Sequence, residues 1–165
     1  DNLASGKGVY ICNNEKESSM AIEEIFNGKF GVAKNILIEE FLAVNGSKTI
    51  GKRPLDGIIV LNEESGIHNG NFYDIEGKDV IIIQTKSRRI GMYLLGQAYF
   101  SQFLVRKYNP RSIKSIAICG KYDDVIGELA KEHGIEVVVI KEDEYEEKFD
   151  DPKYIGKNRM LYNKT

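Results

Sequence analysis

Histidine and cysteine are scarce in this chain, and their scarcity narrows its chemistry. Among 165 residues the only histidines are His68 and His133, and the only cysteines are Cys12 and Cys119. Neither cysteine lies in a CxxC pair, so a zinc site of the usual Cys/His kind is not expected. Two lone histidines also give no Ser-His-Asp set, and no nucleophile elbow is present. No apolar run approaches the roughly 20 residues of a membrane span. The opening Asp1-Asn2-Leu3-Ala4-Ser5 lacks a basic region followed by an apolar stretch, the pattern of a signal peptide. Neither glycine-rich stretch, 46–51 or 66–70, holds a GxxxxGK[ST] or GxGxxG between a strand and a helix. A nucleotide-binding loop is therefore not expected there. Acidic residues are missing altogether from residues 80–122.

That last absence matters because the same stretch is basic. It carries Lys86, Arg88, Arg89, Arg106, Lys107, Arg111, Lys114 and Lys121, in a chain whose net charge is only −2. Residues 141–151 are strongly acidic by contrast. Segregation of this kind predicts a local polyanion-binding surface on a protein that is not basic overall. A hydrophobic content of 42% and a charged content of 29% are ordinary for a globular protein, and the length suits one domain. Cys119, within Ile116-Ala117-Ile118-Cys119, reads as a small buried hydrophobe in a reducing, cytoplasmic setting.

The apolar pattern predicts an α/β fold. A short strand is expected at 9–12 and a helix at 15–27, with Met20, Ile22, Ile25 and Phe26 on one stripe. A second helix is expected at 32–44, with Leu37, Ile38, Phe41, Leu42 and Val44 on its stripe and Asn45-Gly46 ending it. Strands follow at 57–61 and 80–85, the second carrying consecutive β-branched residues. A short edge strand is expected near Phe72-Tyr73. A long helix at 90–108 closes at Asn109-Pro110. A strand at 115–119, a helix ending at His133-Gly134 and a strand at 135–140 complete the pattern. The strand–helix–strand units imply parallel pairing near the end, and the first two main strands an antiparallel or meandering pair. The whole is a mixed sheet flanked by helices, with a charged tail at 141–165.

Two of these strands carry the candidate chemistry. One reads Arg53-Pro54-Leu55-Asp56-Gly57-Ile58-Ile59-Val60-Leu61, the other Asp79-Val80-Ile81-Ile82-Ile83-Gln84-Thr85-Lys86. Side chains alternate along a strand, so Gln84 and Lys86 point the same way. On neighbouring strands, one carboxylate, one amide oxygen and one ammonium converge at a sheet end. Asp56 is the best metal ligand available. Gln84 offers a neutral carbonyl oxygen, and Thr85 its backbone carbonyl. Lys86 supplies a catalytic cation that orients water and stabilises developing charge. Mg2+, with Mn2+ as a substitute, would clamp a phosphate and lower the pKa of its water. Arg88 and Arg89, with Lys52 and Arg53, stand where phosphates would pass. Gln97, on the following helix, reads as a partly buried amide or a polar group near the site. Tyr93, Tyr99, Phe100 and Phe103 read as core.

The pattern Pro54-Leu55-Asp56-Gly57 followed by Ile83-Gln84-Thr85-Lys86 resembles the PD-(D/E)XK nuclease superfamily. It is most similar to the D…QxK form of Mrr-type restriction endonucleases. The likeness covers about residues 30–140. It implies a single nuclease-like domain with a restriction endonuclease-like mixed β-sheet flanked by helices on both faces. It further implies Mg2+-dependent endonuclease cleavage of DNA, in restriction, defence or repair. The superfamily often sets a glutamate on the helix before the Asp strand. Glu39 is the expected catalytic and metal-binding residue on that pattern, with Glu40 as the alternative and Glu24 a third. A homodimer, or a missing specificity domain or partner subunit, would complete such an enzyme. With Gln84 neutral, the rival reading is a catalytically inactive nuclease-like module that binds nucleic acid or protein. A third is an α/β domain holding a small ligand at the strand ends.

Overall fold

The computed structural model describes residues 15–29, 34–69 and 72–140. The expected strand at 9–12 and the tail at 141–165 lie outside them. Helix α1, Glu15–Lys29, leads into strand β1, Asn35–Glu39. Strands β2, Leu42–Val44, and β3, Arg53–Pro54, form a small two-stranded sheet. Then come β4, Gly57–Leu61, β5, Gly66–Asn69, and β6, Asp79–Thr85. Helix α2, Met92–Val105, ends in a 3-10 turn, Arg106–Tyr108. Strand β7, Ser112–Cys119, helix α3, Asp124–Glu132, and strand β8, Ile135–Val139, close the described chain.

The main sheet has six strands in the order β5-β1-β4-β6-β7-β8. It is mixed. β4 runs antiparallel to both β1 and β6, whereas β6, β7 and β8 are mutually parallel, as are β1 and β5. Helices cover both faces. α1 packs Ala21, Ile22, Ile25 and Phe26 against Leu37, Ile59, Ile81 and Ile83. On the other face Val105 of α2 joins Ile38, Ile58 and Ile82, and Leu94 and Ala98 of α2 meet Ala117 of β7 and Ala130 of α3. Because both faces are covered, β1, β4 and β6 read as continuous apolar runs rather than alternating ones.

That burial overturns the helix expected at 32–44. Ile36 and Ile38 enter the α2 face and Leu37 the α1 face, a division that only an extended chain achieves. Glu40, at φ 55°, then breaks the run and turns it into β2. The bend is closed by Glu40 N–H donating to the Asp56 carbonyl (3.2 Å) and Leu55 N–H donating to the Phe41 carbonyl (2.7 Å). The edge strand is β5 at Gly66–Asn69, not Phe72-Tyr73, which follows it as coil. Elsewhere the pattern holds closely. Asn109 takes the left-handed conformation after the 3-10 turn. Asp123 caps α3 by accepting from Ile126 N–H at 2.9 Å, and Gly134 follows that helix at φ 70°.

Candidate functional site

Antiparallel pairing of Gly57 with Ile83 brings the start of β4 and the end of β6 to one end of the sheet. Asp56 precedes that pair on one strand, and Gln84 and Thr85 follow it on the other. Asp56 Oδ2 accepts from Thr85 N–H (2.8 Å) and from Thr85 Oγ1 (3.2 Å). Asp56 N–H donates in turn to Gln84 Oε1 at 3.5 Å. Gln84 is buried, and its Nε2 donates to Ser101 Oγ of α2 at 3.1 Å, which fixes the amide orientation. Lys86 is exposed and sets its Nζ 5.1 Å from the centre of the Tyr93 ring, also on α2. Gln84 and Lys86 thus both engage α2, while Asp56 sits across the strand end from them.

The glutamates lie elsewhere. Glu39 and Glu40 are not on a helix: Glu39 ends β1 and Glu40 makes the turn after it. Glu39 pairs with Gly57, whose added Cβ would meet Ile22 of α1 and Leu37. Glu39 therefore belongs to the α1 face and Gln84 to the α2 face, and the two side chains leave the sheet on opposite sides. Glu24 is half-buried on α1. Among the described residues no three His, Cys, Asp or Glu side chains come together as a metal cage. The donors present suit an ion held by one carboxylate and completed by ligand oxygens.

Around this cluster the surface is cationic. Arg88 and Arg89 are exposed in the segment after β6. That segment is stitched to the one after β7: Lys86 N–H donates to the Ile118 carbonyl, Gly120 N–H to the Arg88 carbonyl and Ile90 N–H to the Lys121 carbonyl, each at 2.9 Å. Gly120 is needed there, since a Cβ would fall 2.2 Å from the Ser87 carbonyl oxygen. Lys52 and Arg53 are exposed on the approach to β4. Tyr93, Phe100 and Phe103 are not core as expected: they are 70%, 65% and 43% exposed, and Tyr99 is half-buried. α2 is apolar nearly all round, and the sheet covers only one side of it. Gln97, Tyr93 and Phe100 border a cavity of about 440 Å³ beside Gln84.

Comparison with known proteins points away from nucleases. Residues 1–49 match the family model for the phosphoribosylglycinamide synthetase ATP-grasp (A) domain. A phosphoribosylamine–glycine ligase of Phenylobacterium zucineum (strain HLK1) is 44% identical over 43 residues, which is 26% of this chain and 10% of that protein. The phosphoribosylamine–glycine ligase of Archaeoglobus fulgidus is 42% identical over 60 residues, 30% of this chain and 13% of that protein. The chain thus spans little more than a tenth of the length of these curated relatives. No solved structure matches.

These matches overturn the PD-(D/E)XK reading, since the relatives are ligases and not hydrolases. Endonuclease activity, the nuclease-like binding module and DNA as partner fall with it, and so do the homodimer and the missing specificity subunit inferred from DNA cleavage. The geometry offers a physical reason for the misreading. A carboxylate, an amide and an ammonium at a strand end suit any phosphate chemistry, and the glutamate that would have marked a nuclease is on the other face. What sequence reasoning passed over is Ser5-Gly6-Lys7-Gly8, in the matched segment and outside the described residues. Among the described residues no helix is long and apolar enough to cross a membrane.

Proposed function

We propose that this chain is a nucleotide-handling part of an ATP-dependent ligase, one that joins a carboxylate to an amine as its relatives' name describes. The observation that carries the proposal is the match of residues 1–49 to an ATP-grasp domain, together with the likeness of part of the chain to two phosphoribosylamine–glycine ligases at above 40% identity. Driving such a condensation with ATP requires phosphoryl transfer, in which a protein contributes chiefly positioning and electrostatic stabilisation. Of the basic stretch 80–122, Lys86, Arg88, Arg89 and Lys121 follow β6 and β7 at the sheet end that holds Asp56 and suit a triphosphate, a compact polyanion, whereas Arg111 is paired with Asp79 at the other end.

Individual roles follow from residue chemistry. Lys7, between Gly6 and Gly8, contacts phosphate oxygens. Asp56, with Gln84 Oε1 and the Thr85 carbonyl as neutral oxygens, would hold Mg2+, or Mn2+ in its place, together with oxygens of the phosphate. Bound there, the ion would supply charge neutralisation on the polyphosphate. Lys86, Arg88 and Arg89 follow Thr85 in the chain and Lys52 and Arg53 precede Asp56, so cations flank that point on both strands. Glu39 serves the α1-side core region rather than this shell. ATP dependence and the buried thiol of Cys119 suit the cytoplasm.

Ligand-linked stabilisation tests the proposal. A bound ligand at 100 times its Kd adds about 2.7 kcal/mol to folding stability. Saturating ATP with Mg2+ is expected to raise the melting temperature of the full chain, and Lys7→Ala to lose most of that rise. An unchanged melting temperature for the wild-type chain at millimolar MgATP would refute it.

A further inference from the structure

Between the Arg53-Pro54-Leu55 approach to β4 and the outer side of α2 lies the cavity of about 440 Å³, within the size range of small-ligand sites. Among the described residues its lining contains no acidic side chain and one cation, Arg53. Gln84 and Ser101 contribute buried polar groups, each only 5% exposed. Tyr93 and Phe100 contribute the large aromatic surface left uncovered on α2. A solvent-facing aromatic pair beside buried amide and hydroxyl groups suits a flat ring with polar edges.

Gly96 sharpens the point. It sits in the interior of α2, where glycine weakens a helix. A Cβ built there meets nothing within 4 Å, so neither close packing nor a special backbone angle explains it. Its effect is to leave the cavity open between Tyr93 and Phe100. Gln97, next to it, places a side-chain amide on the same lining. Lys86 does not line the cavity, but its ammonium lies 5.1 Å from the centre of the Tyr93 ring, which does.

We infer that this cleft receives the base and sugar of a nucleoside triphosphate. The ring stacks on Tyr93 and Phe100, its polar edge meets the Gln97 amide, and the triphosphate extends toward Lys86 and Arg53. The inference rests on the ATP reading above and gives that nucleotide a location.

The test is calorimetric titration of the full chain with ATP and, separately, with inorganic tripolyphosphate, both with Mg2+, for wild type, Gly96→Leu and Phe100→Ala. Gly96→Leu fills the cleft and keeps every polyphosphate cation, and Phe100→Ala removes a stacking surface that is already in solvent. Both should weaken ATP binding roughly tenfold, in line with the loss of one stacked ring, and leave tripolyphosphate binding unchanged. Wild-type ATP affinity in both variants would overturn the location while leaving the ATP reading intact. Equal weakening of ATP and tripolyphosphate would also overturn it. Failure of the wild-type chain to bind either probe would defeat the ATP reading and this inference together.

Discussion

Asp56 is held more firmly than a free carboxylate ligand needs to be. One of its oxygens already accepts two hydrogen bonds from Thr85, and its own N–H meets the Gln84 amide. Asp56→Ala would strand the Thr85 N–H, on a residue only 7% exposed, without its acceptor. An orphaned buried donor costs about 1–3 kcal/mol, so urea denaturation should show a loss of that order. An unchanged midpoint would mean that water or a neighbour replaces the carboxylate. Asp79 offers a second residue-scale check. The Arg111 guanidinium, and then the Ser112 hydroxyl, hold its carboxyl far below the usual carboxylate range. A folded-state pKa below the unfolded value of about 3.9 gives stability that is present above that pH and lost as pH falls through the folded value. Arg111→Ala should return the Asp79 titration toward about 4, read by carboxyl carbon NMR. A titration that stays depressed would show that Ser112 and the strand end suffice. Asp56, Gln84 and Thr85 were legible in the sequence as neighbours at one sheet end, because strand alternation and two neighbouring apolar runs determine it, whereas the Lys86 ammonium lies against the Tyr93 ring. Glu39 was not, because its placement depended on the element that carries it.

Elements were legible where burial is one-sided or capping is explicit. α3 announces itself through an aspartate at its start and Gly134 after its end; of Asp123 and Asp124, either of which suits a cap, the structure uses Asp123. β6 is recognisable from its β-branched run. β1 was misread because Ile36-Leu37-Ile38 with Phe41 and Leu42 also satisfies a helical stripe; only the covering of both sheet faces decides for a strand. α2 was identified as a helix but its faces were misassigned, since an almost uniformly apolar helix carries no periodic signal for which side is buried. That helix supplies the element-scale prediction. Gly96→Ala adds a methyl group into open space at an interior helical position, so it should raise stability by up to about 1 kcal/mol. Thermal melting followed by circular dichroism measures this. A loss of stability would mean that Gly96 serves the packing of α2 rather than the cleft.

For the molecule as a whole, a mixed sheet between helices was readable from periodicity, with β4, β6, β7 and β8 in their places but β1 and β5 not, and Lys86, Arg88, Arg89 and Lys121 stand beyond the ends of β6 and β7. The identity of the polyanion was not. Charge segregation responds equally to a nucleic acid backbone and to a triphosphate, and a four-residue strand-end motif fits both. The decision came from residues 1–49, matched to a synthetase ATP-grasp domain, a segment that periodicity reads only as a short strand and two helices. The measurement that bears most directly on the account is a calorimetric titration of MgATP into the full chain, repeated after the divalent ion is chelated and repeated with Asp56→Asn. The account predicts saturable binding at one site, weakened by chelation and by the substitution. Absence of binding at millimolar ATP, with or without Mg2+, would contradict it.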